Sequence, residues 1–219
     1  MRSGPGCALI LPLLLAACIG GGREAPRRPT ASRPASPPTP RADSAAIRQC
    51  KSALLAADVR FESLPDRSYA GGCTAFGSVK LLDIGVPTAN LGAMTCPLAQ
   101  NFAAWAKHAA MPAARVYFGQ ELVRIDTMGT YACRPIAGTG RLSEHGRANA
   151  VDVAAFVLAD GRRISVLANW NGDDAQARDF LRRVRQSACR RFTTVLSPDY
   201  NSAHRDHLHL DMGGRDFCR

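Results

Sequence analysis

Five histidines occur among the 219 residues, and four of them fall in two short segments. Residues 142–152 read L-S-E-H-G-R-A-N-A-V-D and hold His145 and Asp152; residues 204–211 read H-R-D-H-L-H-L-D and hold His204, His207 and His209. Imidazole is a common metal ligand and a proton carrier near neutral pH. Two imidazoles and one carboxylate form a three-ligand set with an open fourth position, the pattern of catalytic zinc. Zinc so held brings the pKa of its water to about 7 and polarises a carbonyl, and a further imidazole can take or give the proton. The fifth histidine, His108, stands alone near the end of a helical stretch, where a surface or helix-dipole role accounts for it.

The spacing limits how these groups can meet. Side chains alternate along a strand, so His207, His209 and Asp211 share one face while Leu208, Leu210 and Met212 turn to the core. Residues two apart on a strand are separated by about 6–7 Å, too far for His207 and His209 both to bind one ion. One of them is then a ligand, and the other faces substrate or supports the site. Alternation likewise puts Asp152 on a face with the small residues Ala150 and Ala154. A continuous helix would hold His145 about 10 Å from Asp152, so a turn entering a strand is needed to fold it back.

The elements that must position these groups follow from patterning. A helix capped by Asp43 or Ser44 extends to Ala57, rich in Ala and Leu. A turn covers 69–73 and a strand 79–84. Pro97 opens a helix to about Ala109, with Leu98, Phe102, Trp105 and Ala106 inward. Strands are expected at 116–118 and 122–126 about Gly119, then a glycine-rich loop at 135–141. A buried strand at 150–158 turns at Asp160-Gly161 into a partner at 163–167. An amphipathic helix spans 173–188, with Ala177, Phe180, Leu181 and Val184 inward. Strands at 194–196 and 206–212 complete an α+β domain, a small antiparallel sheet flanked by helices.

The front of the chain is an address. Within 1–22, Arg2 precedes an apolar run, 8–17, too short for a bilayer at roughly 20 residues but suited to a secretory signal. It ends in Leu15-Ala16-Ala17-Cys18, which resembles a bacterial lipobox with Cys18 as the lipidated residue; an ordinary cleaved signal is the alternative. Residues 23–43 contain six prolines and five arginines and form a disordered, polyproline-like linker. The folded domain is thus 44–219, in the periplasm or cell envelope and lipid-anchored to a membrane, the outer membrane being expected. Beyond Cys7 in the signal and Cys18, six cysteines remain: Cys50, Cys73, Cys96, Cys133, Cys189 and Cys218. In a secreted domain these make three disulfides, with fifteen possible pairings. No Cys-x2-Cys spacing supports a cysteine zinc site. The net charge of +10 suits acidic partners, but the basic residues form no nucleic-acid module, so nucleic acid is not expected as a partner. A monomer is expected.

Ser143-x-His145-x6-Asp152 with His204-x2-His207-x-His209 resembles the zinc peptidases of the lysostaphin, D-Ala-D-Ala peptidase and hedgehog group; the ending is most similar to the penicillin-insensitive murein endopeptidases. That resemblance implies His145, Asp152 and His209 as metal ligands, His207 as the catalytic assistant and His204 lining the site. It also implies Ser143 and Arg134 on the substrate side, Arg134 toward a substrate carboxylate. D,D-carboxypeptidases of the group use a glutamate shortly before the last histidine. Arg205-Asp206-His207-Leu208 has none, which favours histidine-assisted endopeptidase chemistry. Over 48–219 the chain also resembles the bacterial extensin-like C-terminal domain family, through Gly-Gly-Cys73, Tyr-Ala-Cys-Arg134, the two histidine segments, Ala-Cys-Arg190, Pro-Asp-Tyr-Asn201 and the closing Cys-Arg219. The implied function is a cell-envelope zinc metallopeptidase acting on peptidoglycan peptide crosslinks. The alternative is a non-catalytic peptidoglycan-binding lipoprotein that keeps the metal site. A secreted metal scavenger or adhesin would show His- or Asp-rich runs, which the chain lacks.

Overall fold

The computed structural model describes residues 44–219; the signal segment, Cys18 and the 23–43 linker lie outside the described residues. The chain begins with helix α1 (Ala45–Ala56), capped by Ser44, whose hydroxyl accepts from Ile47 N. Strands β1 (Arg60–Ser63), β2 (Arg67–Ser68), β3 (Thr74–Ala75), β4 (Ser78–Asp83), β5 (Thr88–Ala89) and β6 (Met94–Thr95) follow. Helices α2 (Cys96–Trp105) and α3 (Met111–Phe118) come next, joined through a wide helical turn at Ala106–Ala110. Then come β7 (Leu122–Gly129), β8 (Ala150–Leu158), β9 (Arg163–Ser165), α4 (Val166–Asn169), α5 (Ala175–Ala188), β10 (Thr194–Leu196), β11 (Leu208–Asp211) and β12 (Phe217–Cys218). The α+β class agrees with the patterning. No described helix is long and apolar enough to cross a membrane.

The principal sheet runs β12-β10-β11-β8-β7-β5, with β9 also on β8. Its centre is antiparallel, but β5 joins β7 and β12 joins β10 in parallel, so the expectation of a purely antiparallel sheet is corrected at both margins. Two smaller sheets, β1-β4-β6 and β2-β3, lie outside it. Phe156 of β8 meets Phe180 of α5 and Trp105 of α2, with ring centroids 5.1 and 6.0 Å apart. Trp105 keeps its indole N–H satisfied inside this core by donating to Val184 O and Ser187 Oγ.

A second correction concerns 116–118, which is not a strand but the last turn of α3, closed by Gly119 in the left-handed conformation (φ 65°). Val116-Tyr-Phe118 has strand-like composition, and Pro112 just upstream resembles a helix stop. Instead Pro112 occupies the first turn of α3, where its missing N–H costs little. Ala113 and Ala114 then pack into the core.

The third correction bears on the site. Regular alternation would put Ala154 and Phe156 on Asp152's face. In the pairing of β7 with β8, Asp126 faces Ala155 but Thr127 faces Val153, so Ala154 is an extra residue on β8. This bulge resets the alternation: Val151 and Val153 before it and Phe156 and Leu158 after it all enter the core. Asp152 is thereby left to the other face.

The cysteines pair as Cys50–Cys96, Cys73–Cys133 and Cys189–Cys218. The first ties α1 to α2, and the third ties the end of α5 to β12. The second ties the segment before β3 to the loop after β7.

Candidate metal centre

Two adjacent strands and one turn bring the three candidate ligands together. Antiparallel register sets His209 of β11 opposite Asp152 of β8. Leu208 and Leu210, buried in the core, fix the opposite direction for His209 and Asp211. His145 arrives on a short 3-10 turn, Glu144–Arg147, capped by Ser143 Oγ accepting from His145 N. Ala148 at φ 54° sends the chain back toward β8. Asn149 clamps the return, donating to Glu144 Oε2 at 2.7 Å while its own oxygen accepts from Thr95 Oγ1. The expectation that His145 folds back over Asp152 is met by these contacts.

Three donor atoms converge. His145 Nε2 lies 3.1 Å from Asp152 Oδ2 and 3.1 Å from His209 Nδ1, and His209 Nδ1 lies 2.9 Å from Asp152 Oδ1. All three residues are buried, and together they could hold a metal ion. Neighbouring ligand atoms on a tetrahedral ion at 2.0–2.2 Å are about 3.3–3.6 Å apart, a few tenths of an ångström wider than this triangle.

The far sides of both rings decide their tautomers. The Thr130 carbonyl can only accept, so His145 Nδ1, 2.8 Å away, carries a proton, and Nε2 is the nitrogen left for an ion. The Asp211 carboxylate can only accept, so His209 Nε2, 2.9 Å away, carries a proton, and Nδ1 is the nitrogen left for an ion. Asp211 is itself fixed by Gly213 N, which donates to its other oxygen at 2.8 Å. Ligating imidazoles are commonly oriented in this way by a carbonyl or carboxylate. The donor set could therefore hold a metal ion.

Burial raises the Asp152 carboxyl, but hydrogen bonds from His145 and His209 outweigh it and hold the group well below the usual carboxylate range. Burial disfavours the His209 cation, yet its bonds to Asp152 and Asp211 push its pKa up to about 9 when a proton rather than an ion occupies the cluster.

His207 Nδ1 donates to Asp206 Oδ1 at 2.8 Å, and its Nε2 faces Asp152 Oδ1 at 3.5 Å. The ring thus stands beside the cluster, with one nitrogen anchored and the other toward it. His204 lies on the rim, its ring 5.2 Å from that of His207 and 5.9 Å from that of His209. Asn201 Oδ1 holds His204 Nδ1 at 2.7 Å, and Tyr200 packs on the ring at 5.6 Å. Burial, then the neighbouring His207 and His209, lowers the His204 pKa to about 4. Arg134 is exposed and near enough for its charge to act on His204. Ser143 is buried and occupied in capping the His145 turn.

Several supporting groups escaped the sequence reading. Thr130 acts through its backbone carbonyl, which leaves no side-chain signal. Asp206, next to His207, and Asn201, three residues before His204, had local spacing as their only clue. Asp211 was placed on the correct face but given no role; a carboxylate two residues beyond a ligand histidine on one strand was the available signal.

A disulfide-stapled α+β domain with a buried His-Asp-His cluster at the junction of two strands and a 3-10 turn is thus defined. Residues 48–219 match the family model described as Extensin-like protein C-terminus, and the chain belongs to that family. No curated protein and no solved structure gives a significant match.

Proposed function

We propose that the domain is a zinc-dependent peptidase of the cell envelope that hydrolyses peptide crosslinks of peptidoglycan, with a core related to the hedgehog and D-Ala-D-Ala peptidase group. The observation that carries this reading is the convergence of His145 Nε2, Asp152 and His209 Nδ1 within 3.1 Å of one another beside a further histidine pair. A zinc ion held by these three residues supplies a Lewis acid and a water of near-neutral pKa. His207, with Nδ1–H committed to Asp206, has Nε2 available to accept a proton and return it to a leaving amine. His204, neutral because its pKa is low, offers a hydrogen bond at the rim. Arg134 supplies a positive charge for a carboxylate of the peptide stem. The proposed envelope location and lipid anchor at Cys18 would bring this site to its substrate.

Metal analysis combined with a muropeptide digest tests the reading. Wild type should retain about one zinc and alter the muropeptide profile, and His209→Ala should lose the metal. His207→Ala should keep the metal and lose about 10²–10⁴ in rate. A wild-type protein that retains zinc yet leaves the profile unchanged would overturn the peptidase and leave the non-catalytic peptidoglycan binder.

A further inference from the structure

His209 and Asp152 sit on paired strands, but His145 is oriented by a loop. After β7 ends at Gly129, the chain folds back on itself through an isolated bridge between Pro135 and Leu142. Three hydrogen bonds join this loop to the His145 turn. Thr130 O accepts from His145 Nδ1 at 2.8 Å, Ala132 N donates to His145 O at 3.2 Å, and Ser143 N donates to Arg134 O at 3.1 Å. In the midst of them Cys133 is bonded to Cys73. Cys73 is fully buried, and its sulfur packs on the same turn: a Cβ at Gly146 would lie 3.2 Å from Cys73 Sγ. The disulfide thus carries the segment that orients His145 at one end and abuts the turn that bears it at the other.

The bond is also within reach of a reactant. Cys133 is exposed, and both cysteines line an open cleft of about 210 Å³ with Gly71, Arg134, Pro135 and Leu142. Thiol–disulfide exchange requires a thiolate to reach a sulfur, and a neighbouring guanidinium favours the thiolate form. Cys50–Cys96 is less open, with Cys50 half-buried and Cys96 fully buried. Neither it nor Cys189–Cys218 ties down an element that bears one of the three candidate ligands.

We propose that Cys73–Cys133 is a redox latch on the candidate metal centre, opened by a dithiol. One thiolate of the dithiol attacks Cys133 Sγ, the exposed end, and Cys73 leaves as a thiolate that takes up a proton. The second thiol then displaces Cys133 from the mixed disulfide. Two electrons and two protons pass to the protein, and the dithiol becomes a disulfide. Without its anchor the 130–134 segment no longer holds the Thr130 carbonyl on His145 Nδ1, and the ring is free to turn. Asp152 and His209 keep their places through the pairing of β8 with β11. The effect on a bound ion rests on the metal reading above; the loosening of His145 does not.

Two measurements on the full chain test the latch. In metal-free protein the His145 Nδ1–H should give a slowly exchanging imidazole resonance by NMR. Mild dithiothreitol, shown by mass spectrometry to open Cys73–Cys133 and spare Cys50–Cys96, should abolish it. Zinc affinity, read by chelator competition, should fall about tenfold or more in Cys73→Ser/Cys133→Ser, the cost of losing an orienting partner. It should stay at the wild-type value in Cys189→Ser/Cys218→Ser. The serines also keep freed thiols from capturing the ion. Should the Cys73→Ser/Cys133→Ser protein fold poorly, the resonance of dithiothreitol-treated wild type decides alone. A wild type that binds no zinc yet loses the resonance on reduction upholds the latch and overturns the metal reading. A resonance that survives opening of the bond overturns the latch. So does a zinc-binding wild type whose affinity Cys73→Ser/Cys133→Ser leaves unchanged, or a Cys73–Cys133 bond that resists dithiothreitol until Cys50–Cys96 opens.

Discussion

Replacing Asp211 by Asn tests the proposed metal centre without touching a ligand. In the native arrangement both carboxylate oxygens accept, one from His209 Nε2 at 2.9 Å and the other from Gly213 N at 2.8 Å. An asparagine has one accepting oxygen and one donating NH2. If the oxygen stays with Gly213 N, the NH2 faces His209 Nε2 and favours the tautomer with Nε2 unprotonated. The proton then moves to Nδ1, the nitrogen that the ion needs. If the amide turns the other way, the NH2 confronts Gly213 N–H and the end of β11 must shift. Losing such an orienting partner costs about 10–100-fold in metal affinity, or about 1.4–2.8 kcal/mol at the usual 1.4 kcal/mol per decade. Competition against a chromophoric zinc chelator at neutral pH measures this directly, and thermal unfolding of the metal-free proteins separates misfolding from lost ligation. An unchanged zinc affinity in a folded Asp211→Asn protein would refute the assignment of His209 Nδ1 as a ligand held by Asp211.

Two further outcomes follow from the same geometry. Because the His209 pKa is raised from 6.5 to about 9 in the metal-free cluster, its contribution to stability is full below about pH 6.5 and is lost as pH rises through about 9. Zinc must displace that proton, so its apparent affinity should rise about tenfold per pH unit across this window and then level; a flat profile in the chelator assay contradicts the linkage. Gly213→Ala would set a methyl group directly on Glu144 Cδ, the side chain that Asn149 clamps. Overpacking there should cost about 1–3 kcal/mol of unfolding free energy, and Glu144→Ala should relieve much of it. Strict additivity of the two changes would show that the clash is not the cause.

The strands of the candidate site were legible because strand alternation leaves its mark directly in residue type. Leu208 and Leu210 against His209 and Asp211 is a period of two, the mark of a strand with one apolar and one polar face. The bulge at Ala154 was not legible: a small residue in an apolar run carries no sign that it is unpaired on β7, yet it permits β8 to give Phe156 to the core and Asp152 to the site. Residues 116–118 misled because β-branched and aromatic residues are also accommodated in a helix, here with Val116 exposed to solvent. The tertiary packing of Ala113 and Ala114 decided the matter. The disulfide pairing lies beyond local pattern altogether, since Cys73 and Cys133 are 60 residues apart and meet through the fold. That pairing matters to the site. It anchors the segment from Thr130, whose carbonyl orients His145, to Ala132, whose N–H donates to His145 O.

In the proposed metal centre, charge bears on the choice between a divalent ion and a proton. Asp152 and Asp211 bring two carboxylates to a buried place, where the Thr130 carbonyl orients His145. The two carboxylates and a protonated His209 sum to a charge of about −1, and burial makes any residual charge costly. Exchanging that proton for a divalent cation neutralises the group and turns the facing nitrogens of His145 and His209, 3.1 Å apart, from competitors for one proton into joint donors. A monovalent ion would leave the deficit in place. Asp206 stands 2.8 Å from His207 Nδ1, so that ring has its own carboxylate beside the cluster. The separate roles proposed for the two histidines, one toward an ion and one toward a proton, agree with their carboxylate partners. Asp211 holds His209 from behind on the strand, whereas Asp206 holds His207 from the loop.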